Sequence, residues 1–450
     1  MSTQNISLNR TLTLSAVVLF GLAYMTPMIV FGTFGVLAET TNGLVPTAYI
    51  VGLSAMLFTA YSYGRMVKAF PASGSAYTYT RKAIGSRIGF MIGWTILLDY
   101  LFLPMVIWLI GAVYLNSAFP AVPIWTWILI FIAITTAINL IGINSTKNVN
   151  YILMLFQILV IGIFIVLSIV NVLHGMGTGT LLSFAPFYQA DVPFSLVIAG
   201  AAIACYSFLG FDAVSTLSEE TVEPEKTLPR AIFLITLIGG AIFVGSSFII
   251  QLVQPNYEAF INADSAALEI AQQIGGNLFS AIFLAGLIIA QFTSGLSAQT
   301  SAARLIYAMG RDSVLPKKLF GFIHPKSRTP VINIMIIGII GFLAIFLDIT
   351  TSTSFINFGA FITFIFVNLS VIFHYYIKEK KRQGKDVLLY LILPLIGACL
   401  DMALFVNLDK NALILGSVWV ALGFCYLLYI TKAFSKATPQ MEGQNDNIAV

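Results

Sequence analysis

Long apolar runs alternate with short polar stretches from Thr11 to Lys432. A helix needs about 20 mostly apolar residues to cross the hydrocarbon core of a bilayer. Twelve windows meet that need, near 13–37, 45–67, 88–117, 123–142, 149–172, 192–215, 229–254, 275–302, 330–348, 351–377, 387–407 and 411–432. The pattern predicts an all-α integral membrane protein. One membrane domain of twelve spans covers 13–432, between polar tails at 1–12 and 433–450. The first apolar run is too long for a cleavable signal peptide and has no small-residue cleavage site after a short core.

Composition sharpens this reading. Hydrophobic residues make up 58% of the 450 residues and charged residues 9%, with a mean hydropathy of +0.92. A soluble domain carries about 25% charged residues, so there is too little polar surface here to cover a soluble particle. Nucleic-acid binding and ordinary soluble catalysis are excluded on the same ground. No nucleophile–base set, metal cluster or phosphate loop is visible, so no enzyme activity and no cofactor are expected. His174, His324 and His374 lack metal-ligand spacing, and Cys205, Cys399 and Cys425 lie in apolar runs rather than in a disulfide framework.

The placement of charge tests the span count. With twelve spans, every one of the 23 lysines and arginines except Lys410 falls on one side. The positive-inside rule makes that side cytoplasmic and puts both termini there. Glu219, Glu220, Glu223 and Glu225 read as a solvated gate element on the inner side. Two inner segments, 71–82 and 304–330, are long enough to be structured loops. On the outer side, 256–274 reads as a short amphipathic helix and a candidate lid.

Irregular backbone at membrane depth is tolerated only where it lines a cavity. The first span holds Gly21-Leu-Ala-Tyr-Met-Thr-Pro-Met28, in which Pro27 removes a helical hydrogen bond. Five spans later, Cys205-Tyr-Ser-Phe-Leu-Gly-Phe-Asp212 again carries a glycine, Gly210, at the expected break. Paired interruptions in spans one and six are what a five-plus-five inverted repeat requires. Acids at depth are the second signal, because a carboxylate at the centre of a membrane helix costs about 2.5–3.5 kcal/mol even on insertion scales. Asp99 in span three and Asp212 at the span-six break read as functional. Asp401, on peripheral span eleven, reads as structural. In span eight, Gln291-Phe-Thr-Ser-Gly-Leu-Ser297 offers the hydroxyls of Thr293, Ser294 and Ser297. They read equally as sodium ligands and as small residues for close helix packing.

The chain resembles the amino acid–polyamine–organocation superfamily, and within it the bacterial putrescine importers. The segments that carry the resemblance are Gly21–Met28, Gly74-Ser-Ala-Tyr-Thr-Tyr79, Leu98-Asp-Tyr-Leu-Phe102, Ser207-Phe-Leu-Gly-Phe-Asp-Ala213, Leu217-Ser-Glu-Glu-Thr221, Pro229-Arg-Ala-Ile-Phe233, Tyr307-Ala-Met-Gly-Arg-Asp312, Ile356-Asn-Phe-Gly-Ala360 and Phe366-Val-Asn-Leu-Ser370. The resemblance implies two inverted five-helix repeats plus two extra helices, working by alternating access in a bacterial cell membrane. It further implies a substrate site between spans one, three, six, eight and ten. Carried over by position, Tyr24, Thr26, Pro27 and Met28 belong to the span-one break. Tyr100 stands at a substrate-binding tyrosine, and Tyr206, Phe208, Gly210, Phe211 and Asp212 form the span-six part. Gln291 and Asn357 come from spans eight and ten. The chain departs from the importer pattern at Gly32, Ile107 and Ala112, where an aspartate, an asparagine and a lysine are expected.

The expected function is secondary-active import of a small organic cation, putrescine or a related polyamine. Coupling would be to protons through Asp212 or to sodium through span eight. A neutral amino-acid importer or exchanger is the alternative within the class, and a non-transporting ligand sensor the alternative outside it. Besides its small-molecule substrate, the expected partner is the lipid bilayer, not nucleic acid; no feature of the sequence speaks to the oligomeric state.

Overall fold

The computed structural model describes residues 10–71, 75–141, 147–311, 314–325, 329–436 and 438. The apolar runs are helices because hydrocarbon offers no partner for a backbone N–H or C=O, and only a helix satisfies both within one segment. In chain order they are α1 (Leu14–Met25), α2 (Ile29–Thr40), α3 (Val45–Ala69), α4 (Ser75–Ala83), α5 (Ser86–Ala118) and α6 (Ile124–Ile141). There follow α7 (Lys147–Leu173), α8 (Phe194–Ala204), α9 (Pro224–Val253), α10 (Ala266–Arg311), α11 (Lys317–Phe320) and α12 (Val331–Ile345). The last three are α13 (Ile349–Lys378), α14 (Lys385–Phe405) and α15 (Lys410–Ile430).

Among the described residues, ten helices are long and apolar enough to span a bilayer, and the bent pair α1–α2 makes eleven. Helix α12 occupies the predicted ninth span but falls short of full spanning length. Helix α5 is the centre of the molecule: 83% of its apolar window is buried inside the protein, against 17% for α15 at the periphery. Beyond its α-helical part, α8, the sixth span continues through Ser218 as turns.

Two expectations become specific and a third changes. Of the inner segment 71–82, Ser75–Ala83 is a helix packed on α5, where Gly89 lies against Arg81; 72–74 lie outside the described residues. The inner segment 304–330 is not a loop throughout: α10 continues to Arg311 and Lys317–Phe320 forms a short helix. The outer segment 256–274 is not one helix. Two single turns, Tyr257–Ala259 and Ala263–Ser265, precede the helix that starts at Ala266. Asn256 and Asn262 cap those turns, accepting from Glu258 N and Asp264 N at 3.0 Å each, which favours turns over continuous helix. The segment presses on the outer half of span one, with Phe260 against Phe34 at 6.3 Å between ring centroids.

At the opposite end the chain ties the two interrupted spans together. Thr11 and Leu12 N–H donate to Glu220 O at 2.9 and 3.0 Å, and Val222 N–H donates to Leu12 O at 3.0 Å. Glu220 therefore takes part through its backbone, and Glu223 pairs with Lys226 at 3.1 Å.

Asp401 proves to be fully buried. Its Oδ2 accepts from Thr59 Oγ1 of α3 at 2.8 Å and from Asn368 Nδ2 of α13 at 3.0 Å. The structural reading holds, with Asp401 as the acceptor that joins three helices. Asp401→Ala leaves the buried Thr59 hydroxyl without an acceptor, at about 1–3 kcal/mol, and opens a cavity beside it, while Asn368 Nδ2 keeps Thr59 Oγ1 and Phe364 O; Asp401→Asn retains an acceptor oxygen. Thermal unfolding in detergent is expected to show a large drop for the first and a small one for the second.

Candidate functional site

Span one breaks between Met25 and Ile29, and its halves meet at 47°. Pro27 has no N–H to donate. Thr26 adopts φ 53°, ψ 88°, a left-handed conformation rare for a β-branched residue. Its hydroxyl turns back to donate to Ala23 O at 3.4 Å. Span six breaks after Ala204, passing through a 3-10 turn at Cys205–Phe208 and a second at Ala213–Glu219. Between them Gly210 has φ 109°, accessible to glycine alone without strain. A Cβ on Gly210 would lie 2.2 Å from Tyr24 Cδ1. The two breaks thus touch, the Tyr24 ring lying over the bare backbone of Gly210. A chain of hydroxyls, Thr33–Tyr49–Ser207 at 3.2 and 3.1 Å, links them again through α3.

Two carboxylates converge on this meeting point. Asp212 follows the Gly210 turn, and Asp99 comes from the middle of α5, each half-buried and within electrostatic reach of the other. Tyr24, Tyr100 and Tyr206 lie within electrostatic reach of Asp99, and Tyr24 and Tyr100 also of Asp212. Tyr63 OH of α3 donates to Asp212 Oδ2 at 3.3 Å. One oxygen of Asp99 is buried without a hydrogen-bond partner. Among the described residues no lysine, arginine or histidine pairs with either acid. Two acids without counter-ions beside tyrosines have the chemistry a cation requires: carboxylates offer charge, and tyrosine rings offer a quadrupole that attracts ammonium groups.

Of the other expected residues, some stand at the site and some behind it. Thr26, Pro27 and Met28 are buried at the break, and the Met28 sulfur packs toward Gly286 of α10. Phe208 is fully buried among Tyr49 and Phe243, at 6.5 and 5.2 Å between centroids, so its ring faces the core. Phe211 meets Tyr63 edge-on and Phe364 at a tilt, at 5.7 and 5.4 Å between centroids. Gln291 is buried with its Nε2 unpartnered, 3.8 Å from where a Cβ on Gly32 would sit. In span eight the hydroxyls of Thr293 and Ser297 donate to their own helix, at Ile289 O and Thr293 O, both 2.9 Å. Ser294 is half-buried, while Gly295 lies tight against the Trp108 indole of α5, as close packing requires.

Asn357 does not face a ligand. Its Nδ2 donates to Ala202 O at 2.7 Å and to Ile203 O at 3.4 Å, holding carbonyls just ahead of the span-six break. Asn357→Ala frees those carbonyls, worth about 1–3 kcal/mol. It is expected to slow turnover about tenfold while leaving substrate affinity within about threefold, as initial uptake rates against concentration would show. Tyr63 and Tyr79 are site residues that the sequence does not single out. Tyr79 meets Tyr63 edge-on at 6.2 Å; neither Tyr63 in its apolar run nor Tyr79 in its polar segment carries a mark of what it faces.

Comparison with known proteins is consistent across the chain. The amino acid permease family model matches residues 16–449. The low-affinity putrescine importer PlaP of Escherichia coli K12 is 44% identical over 442 residues, covering 98% of both chains. The branched-chain amino acid permease BcaP of Bacillus subtilis is 27% identical over 453 residues, 95% of this chain and 94% of its own. Human cationic amino acid transporter 4 is 28% identical over 392 residues, 82% of this chain and 60% of its own.

Proposed function

This chain belongs to the amino acid permease family, and from that premise we propose that it imports putrescine or a related polyamine across a bacterial cell membrane. It is a multi-pass membrane transporter, not an enzyme. The observation that carries the substrate reading is the pair Asp99 and Asp212 with no basic partner, beside Tyr24, Tyr100 and Tyr206. A neutral amino acid would bring one ammonium and one carboxylate to this pair, and its carboxylate would meet two like charges. A diamine brings an ammonium for each acid.

The two acids also set the coupling. Asp212 follows the Gly210 turn of span six and carries the coupling proton, with the Tyr63 hydroxyl holding the carboxyl in place. Sodium through span eight is the alternative, because the Thr293 and Ser297 hydroxyls donate to their own helix and keep lone pairs for a cation. The side rich in lysine and arginine faces the cytoplasm, with both termini, and residues 13–432 act as one transporter domain.

The test is uptake of labelled putrescine into proteoliposomes under an imposed inward proton gradient, with polyamines and amino acids as competitors. Saturable uptake that collapses with the gradient and is blocked by diamines is the expected result. Uptake of an amino acid but not of putrescine would overturn the substrate; binding without accumulation would mark a sensor.

A further inference from the structure

On the basic side of the molecule, α1, α3 and α9 line an open groove of about 480 Å³. Its apolar wall is Leu14, Leu234 and Phe233, the last 42% exposed. Its rim carries Arg65 and Lys68 from α3 and Arg230 from α9. Arg65 lies over the Tyr61 ring at 4.9 Å, which fixes the guanidinium at the rim. None of the three cations has a carboxylate partner among the described residues. Three unneutralised cations beside an apolar trough, on the outer surface of a membrane protein, call for a molecule with an anion at one end and hydrocarbon at the other. A soluble phosphate would have no use for Phe233 and Leu234, and an acyl chain alone would have none for the cations.

The geometry points to a specific site for an anionic phospholipid, phosphatidylglycerol or a like diacyl lipid, with its phosphate at Arg65, Lys68 and Arg230 and one chain along Leu14, Phe233 and Leu234. Basic grooves between membrane helices have the charge and depth for such headgroups, and the volume is that of a ligand site. The assignment is independent of which substrate the transporter carries. Leu14 opens α1, the half-helix that ends at the Thr26–Met28 break, so a lipid seated here touches the element that shapes the transport site. Its occupancy is expected to set the transport rate.

The test is native mass spectrometry of purified protein titrated with phosphatidylglycerol or phosphatidylcholine, with inorganic phosphate and neutral diacylglycerol as separate arms. The protein is expected to retain one phosphatidylglycerol under activation that strips phosphatidylcholine, while phosphate and diacylglycerol leave no adduct. Each cation removed is expected to weaken retention about fivefold, so that Arg65→Gln, Lys68→Gln and Arg230→Gln together cost about a hundredfold. The exposed single changes Lys68→Gln and Arg230→Gln keep the test valid if the triple variant folds poorly. Uptake in phosphatidylglycerol-containing liposomes should exceed that in phosphatidylcholine alone for the native chain, and the difference should shrink in the variants. Equal retention of both phospholipids, unchanged retention by the variants, or an adduct with phosphate alone would overturn the assignment.

Discussion

Replacement of Asp212 by asparagine is expected to abolish concentrative putrescine uptake while protein abundance and thermal stability stay near those of the native chain. Asparagine keeps an oxygen to accept from Tyr63 OH, now 3.3 Å from the carboxylate, so the local packing has no reason to change. What is lost is the charge. A hydrogen bond to a charged group is worth about 1.5–3 kcal/mol, or about a 10- to 150-fold fall in affinity for a bound ammonium. Loss of the proton carrier falls on top of this and removes dependence on the gradient. Uptake counts, with abundance measured by blotting and stability by thermal unfolding, separate these effects. Unchanged uptake would remove Asp212 from both roles.

Gly210→Ala is expected to be as damaging for a different reason. The backbone there sits at φ 109°, and holding a non-glycine residue in such a conformation costs about 1–3 kcal/mol. The new methyl would lie 2.2 Å from Tyr24 Cδ1, and overpacking of this kind adds about 1–3 kcal/mol more. The Tyr24 ring must swing away from the meeting point of the two breaks, so both stability and uptake fall. Combining Gly210→Ala with Tyr24→Ala relieves the clash but not the backbone strain. The double variant is expected to recover part of the lost thermal stability and none of the uptake, which a double-mutant comparison would read directly.

These two residues also mark how far the sequence can be read. Pro27 and Gly210 announce breaks because their backbone chemistry is fixed by residue type. The acids announce themselves because burying charge in a bilayer is costly wherever it occurs. The spans follow from hydropathy alone, but the short length of α12 and the turns at 256–265 do not: hydropathy does not register a local cap such as Asn256 or Asn262. Partnership is not legible at all. Nothing in the order of residues says that Tyr63 donates to Asp212, that Asn357 holds Ala202 and Ile203 rather than a ligand, or that the Phe208 ring turns away from the site. Each depends on which faces of distant helices meet. Asp401 sits between these cases: its residue type shows that it needs a partner, and the fold names Thr59 and Asn368.

The loss of charge at positions 32 and 112 now has a physical setting. A Cβ on Gly32 would lie 3.1 Å from Ile110 Cγ2 and 3.8 Å from Gln291 Nε2, so an aspartate there would crowd α5 while reaching a polar group. Ala112 is fully buried. With both charges absent, the proposed diamine site rests on Asp99 and Asp212.

The proposed match of two acids to two ammonium groups is most directly measured as the affinity of purified protein for putrescine against butylamine, which has the same carbon chain and one ammonium. Titration calorimetry at fixed pH and salt is expected to show butylamine binding at least about tenfold more weakly, the loss of one charge-assisted contact. Equal affinities would mean that only one acid meets the substrate, and the paired-carboxylate account of this site would be wrong.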